Sequence, residues 1–263
     1  MRIIGKLFIF IQIVSLCIFL LNLYIKHKDS IQNNDYIITP EKVSVSFDDI
    51  CGLDHQKEWI EKVLNSNEKP NGLLLYGPPG TGKTMLAKAI ASKMNGNFIN
   101  ASASLLQNKF YGETPKIIQN LFKLASQKKP CVIFFDELDG LLSKRDFLQE
   151  PADRVLKTTL LSCMDGILNF DGIFLVGATN RKTDIDDAIL RRFRMQLEIS
   201  YPDDHVITNQ LICYEHDKIL PLIKDKSLSL SDISQLNKLV KISKPDTDNI
   251  SQDDYIDCIN LFF

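Results

Sequence analysis

One octapeptide limits what this chain can fold into: Gly77-Pro78-Pro79-Gly80-Thr81-Gly82-Lys83-Thr84. It fits G-x-x-x-x-G-K-[ST], a loop whose backbone N–H groups turn inward around phosphates. An apolar run, Leu73-Leu74-Leu75-Tyr76, precedes it, and Met85–Met94 follows with Leu86, Ile90 and Met94 at helical spacing. Strand, glycine loop and helix together are the context the motif requires. The helix N-terminus adds a favourable field for anionic oxygens. Lys83 is then expected against the β- and γ-phosphates of ATP, and the Thr84 hydroxyl on Mg²⁺.

The segments around the loop alternate between strand and helix patterns. Asn97–Ala101, Cys131–Phe135, Gly172–Thr179 and Met195–Ile199 read as four further strands. Cys131–Phe135 is wholly apolar, as a parallel strand covered on both faces should be. Helical patterns separate them, among them Pro115–Ser126 with Thr114 as N-cap. Asp54 is placed to cap a helix whose Trp59, Ile60, Val63 and Leu64 share a face. The expected fold is α/β, with five parallel strands flanked by helices and ligands at the strands' C-terminal ends. Beyond Pro202 three segments, 203–220, 231–242 and 251–262, look helical, so 203–263 is read as a small helical lid on a large domain at 46–202.

The third strand runs into Asp136-Glu137. An acid there can hold Mg²⁺ beside Thr84, and the next can orient and deprotonate the attacking water. Alone, an apolar run ending in two acids is weak; paired with the phosphate loop upstream it is specific.

At the N-terminus, segment 7–25 carries no charge, with Arg2 and Lys6 before it and Lys26, His27 and Lys28 after it. As a helix it would be about 28 Å long, close to a bilayer's hydrocarbon thickness. Residues 1–28 are therefore expected to be a transmembrane anchor and 29–45 a short polar linker, with the ATP-binding body in the cytosol. A cleaved signal peptide fits less well, because the apolar stretch is long and no small-residue cleavage site follows Ile25. Six scattered cysteines without C-x-x-C pairs suit a reducing compartment. The formal charge is −2, and no long basic run marks a nucleic-acid surface.

From Phe47 to Pro202 the chain resembles an AAA ATPase module, closest to the group of katanin, spastin, fidgetin and the membrane-anchored mitochondrial and peroxisomal protein dislocase. The matching text is Phe47–Leu53, Leu73–Thr84, Lys109-Phe110-Tyr111-Gly112-Glu113, Asp136–Asp139, Met164-Asp165-Gly166, Gly177–Asn180 and Asp186–Phe193. The resemblance implies a hexamer acting on protein substrates. It implies that Asn180 helps place the hydrolytic water, and that Arg191 and Arg192 are arginine fingers for the neighbouring subunit's γ-phosphate. It also puts Phe110 and Tyr111 on the central pore, where flat amphipathic rings grip extended polypeptide.

The chain departs from the family in four places. Cys51 replaces a glycine in the segment that lines the adenine pocket, the stretch before the phosphate loop is short, and the lid is short. In the lid, Ser229-Leu230-Ser231-Asp232 carries Leu230 in a glycine's place. A leucine does not readily adopt positive φ, so weakened coupling of lid to nucleotide is expected. The leading reading is a membrane-anchored hexameric motor that extracts or unfolds proteins. A microtubule-severing type and a nucleotide-switched scaffold are the alternatives; a metalloprotease is excluded, because H-E-x-x-H is absent.

Overall fold

The computed structural model describes residues 37–38, 43–66, 72–101, 114–141, 151–167, 172–212, 216–244 and 250–263. Segment 7–25, most of the expected linker, and Phe110 and Tyr111 lie outside these residues. Among the described residues, no helix is long and apolar enough to cross a membrane.

After the two-residue strand β1 (Ile37–Ile38) come α1 (Asp54–Asn65), β2 (Gly72–Tyr76), α2 (Lys83–Lys93), β3 (Asn97–Asn100) and α3 (Thr114–Gln127). Then follow β4 (Cys131–Phe135), the one-turn α4 (Leu138–Leu141), α5 (Pro151–Ile167), β5 (Ile173–Thr179), α6 (Asp187–Leu190) and β6 (Met195–Glu198). The five main strands stand in the order β3-β4-β5-β2-β6, with β1 beside β3, and their pairings are parallel. Every residue of β4 and β5 is buried, as strands covered by helices on both faces require. Register sets the site: Tyr76 pairs with Thr179, and Phe135 pairs with Gly177. The C-terminal ends of β2, β4 and β5 therefore come out side by side.

Two local readings are corrected. Asp54 does not cap α1. The cap residue is Leu53, held at φ 59°, and Asp54 sits in the first turn, where its charge favours the helix dipole. Trp59 does not join the buried face: it is 41% exposed, while Ile60 and Leu64 are buried.

Four helices follow the sheet: α7 (Asp204–Gln210), α8 (Ile219–Asp225), α9 (Leu230–Ser243) and α10 (Gln252–Phe262). The single helix expected over 203–220 is thus two. Pro221 has no N–H to donate and is tolerated only in a helix's first turn, which places a start at Ile219. These helices enclose their own apolar cluster around Ile219, Ile233, Leu236, Tyr255 and Ile259, separate from the cluster under the sheet. Each of α9 and α10 opens on a capping box, Ser229 with Asp232 and Ser251 with Asp254.

Tyr255 is fully buried, and its hydroxyl joins three helices. It accepts from the Ile212 N–H (3.0 Å) just after α7 and donates to Asn237 Oδ1 (2.6 Å) on α9. Tyr255→Phe keeps the ring but leaves both partners short of a bond. It should lower stability by about 1–3 kcal/mol, read as an earlier thermal unfolding transition.

Candidate nucleotide site

Gly77 to Gly82 form the loop between β2 and α2. Gly80 has φ +73°, and a Cβ there would meet Ser229 Oγ at 2.2 Å, so the loop is pressed against the start of α9. The Ser231 N–H donates to Gly80 O across the same contact (3.2 Å). Gly82 caps α2 at φ 95° with no side-chain cap bond. The first-turn N–H groups of α2 are therefore left for an anion.

Lys83 is buried and folds back on the loop, donating to Gly77 O (2.9 Å) and Pro78 O (2.5 Å). Burial pushes its pKa below the ordinary lysine value; the charges of Asp136 and Asp139 oppose that shift. Thr81 Oγ1 donates to Pro78 O (3.0 Å) and so braces the turn. Pro78 and Pro79 fix the loop's entry, and their rings leave no N–H there to compete for phosphate.

At the end of β4, Asp136 Oδ2 accepts from Thr84 Oγ1 at 3.1 Å. Two hard oxygen donors side by side fit Mg²⁺, which binds through one or two protein oxygens together with phosphate oxygens and water. Glu137 follows at φ 52°, a left-handed conformation costly for a non-glycine residue. Its N–H donates to Asp136 Oδ1 (3.0 Å), and its C=O accepts from the Gly140 N–H (2.9 Å). This turn carries the exposed Glu137 side chain to the rim of the cleft instead of continuing the strand.

Asn180 ends β5. The preceding Thr179 is buried, donates to Asp139 Oδ1 (2.6 Å) and accepts from the Arg181 N–H (2.9 Å), which fixes the backbone on both sides of Asn180. Lys83, Thr84, Asp136, Glu137 and Asn180 line a single cleft of about 770 Å³, a volume within the range of small-molecule sites.

Arg191 and Arg192 lie outside this lining, at the end of α6. They are held by Phe193, buried against Gly177, where a Cβ would meet its ring at 3.0 Å. Their surroundings differ. Arg192 donates from Nε and Nη2 to the two oxygens of Asp165 on α5 (2.8 Å each) and from Nη1 to Ala188 O (2.8 Å). Those bonds hold the Asp165 carboxyl below its ordinary pKa and raise that of Arg192. The Arg191 side chain is exposed and has no partner among the described residues.

Sequence reasoning pointed to Leu230 and Ser231 of the lid but missed Ser234, Gln235 and Lys238 of α9, and Gln210 of α7. Leu230 is the first residue of α9 and follows the N-cap Ser229, so the positive φ that a leucine disfavours is not required of it. The signal for that cap, Ser-x-x-Asp, was present in the chain.

The sequence pattern of the ATPase family associated with various cellular activities (AAA) matches residues 73–201, and that of magnesium chelatase subunit ChlI matches residues 39–102. Proteasome-activating nucleotidase of Methanococcus maripaludis is 44% identical over 181 residues, 62% of this chain and 44% of that protein. Spastin of Naegleria gruberi is 39% identical over 211 residues, 74% of this chain and 39% of that one. Human spastin is 38% identical over 192 residues, 67% of this chain and 31% of that protein. The chain thus spans less than half the length of these curated relatives. The crystal structure of the FIGL-1 AAA domain in complex with ADP superposes with a TM-score of 0.68 at 28% identity, covering 88% of each chain. These relatives support the katanin, spastin and fidgetin group, but not the narrower likeness to the membrane-anchored dislocase. With strand order, glycine loop and acidic strand end in agreement with these matches, the chain belongs to the AAA ATPase family.

Proposed function

We propose that this chain hydrolyses ATP at a site completed by a second copy, within a homo-oligomer, expected to be a hexamer, that acts on polypeptide. The observation that carries it is a division of the machinery. The cradle and the acids converge in one cleft, while Arg191, exposed and without a partner among the described residues, lies outside its lining. In this reading Lys83 and the α2 N–H groups hold the β- and γ-phosphates. Thr84 and Asp136 would hold Mg²⁺, which would supply positive charge against the phosphates. Glu137 takes the proton of the attacking water, and Asn180 orients that water. Arg191 of the neighbour meets the charge developing on the γ-phosphoryl, and Arg192 keeps α6 in place through Asp165.

Substrate class follows the relatives: spastin and the fidgetin-like domain favour a severing-type ATPase over an extractor of membrane proteins. Phe110 and Tyr111 remain the proposed polypeptide-gripping pair. Segment 7–25 is proposed as a membrane tether on its apolar length alone. The test is ATP turnover of the full chain in detergent against protein concentration, with and without polymerised tubulin. Turnover per chain should rise steeply with concentration and rise again with the polymer. A rate per chain independent of concentration would overturn the shared site; no response to polymer would overturn the severing reading.

A further inference from the structure

We propose that Gln210 reads the base of the bound nucleotide and selects adenine. The assignment rests on the ATP reading above. The phosphate end of the cleft is taken by Lys83, Thr84 and Asp136, so the base must lie against the remaining lining, which includes Ile50, Cys51, Gln210 and Gln235. Gln210 is the last residue of α7, half-buried and one turn after the buried Ile207.

Its conformation is set from two sides. Asn237 Nδ2 donates to the Gln210 main-chain O (2.7 Å), and Asn237 is itself held by the buried Tyr255 hydroxyl (2.6 Å). On the side chain, Nε2 donates to Cys51 Sγ. This contact puts Nε2 on the sulfur side of the amide and Oε1 on the other. Oε1 has no partner among the described residues, and one amide hydrogen is left over.

An unpartnered acceptor beside a spare donor matches the N6 amine and N7 of adenine, the pair of contacts that a glutamine amide makes with this base. Guanine offers acceptors at both O6 and N7. Its O6 would face Oε1, two acceptors with no proton between them. Cys51, where the family resemblance expects glycine, gains a purpose in this arrangement: its sulfur holds the amide in the adenine-reading orientation.

The experiment is equilibrium titration of the full chain with Mg²⁺ and the imido analogues of ATP and GTP, with inorganic tripolyphosphate as a probe of the phosphate end. The wild type should prefer the adenine analogue. Gln210→Leu should cut that preference about tenfold, the worth of one lost hydrogen bond with its stranded partner, while tripolyphosphate affinity stays the same. Gln210→Glu keeps the acceptor for N6 but loses the donor to N7 and to Cys51, so it should weaken both analogues while still favouring adenine over guanine. An unchanged adenine-to-guanine ratio in Gln210→Leu, or an equal loss of that ratio in both variants, would overturn the assignment. A wild type that binds no adenine analogue would instead overturn the ATP reading beneath it.

Discussion

Glutamine in place of Glu137 should leave ATP binding within a fewfold of the wild type and lower turnover by roughly 10²–10⁴, the range for a lost general base. The position is built for that role and for little else. Glu137 carries no packing load: its side chain is exposed at the cleft's rim. Its backbone sits at φ 52°, a conformation worth about 1–3 kcal/mol of strain in a non-glycine residue. Asp136 and Gly140 hold that turn through backbone bonds, neither of which uses the glutamate carboxyl. The amide therefore fits without disturbing the loop and fails only as a base. Single-turnover hydrolysis with equilibrium binding measured in parallel checks this, and turnover within threefold of wild type would remove Glu137 from the mechanism.

Arg191→Ala should lower turnover by roughly 10³–10⁵, as expected when an arginine facing the γ-phosphoryl is lost, with ATP affinity and thermal unfolding little changed. Arg192→Ala should differ in kind. It severs the two bonds to Asp165 and the one to Ala188 O, so it should loosen α6 and lower the unfolding temperature as well as the rate. The split is chemically specific. Arg192 has its planar fork committed to a carboxylate, whereas Arg191 has nothing among the described residues to release before it meets a phosphoryl group. Equal effects of the two variants on stability would contradict it.

Much of this was legible in the chain because the informative signals are local. The glycines at 77, 80 and 82, the five apolar residues of β4 and the acids after them are fixed by backbone conformation and two-sided burial, and each can be read without knowing its neighbours. Proximity of Thr84 to Asp136 follows from strand order, which an alternating pattern implies but does not specify. Gln210 was not legible: its role depends on Cys51, Asn237 and Tyr255, brought together only by the packing of α7 against α9 and α10. Leu230 was misread for a different reason. The family text suggested a glycine's conformation, while the Ser229–Asp232 capping box makes the next residue an ordinary first turn. Likewise, the contrast between Arg191 and Arg192 hangs on Asp165, 27 positions earlier, which no spacing rule connects to them.

The central claim is that the cradle on one chain and Arg191 on another make one catalytic site. Mixing two inactive proteins, Lys83→Ala and Arg191→Ala, tests it most directly. In a mixed assembly, some sites pair an intact Lys83 on one chain with an intact Arg191 on its neighbour. ATP hydrolysis by the equimolar mixture should therefore rise well above that of either variant alone. A mixture as inactive as its components, under conditions where the chains co-assemble, would contradict the account.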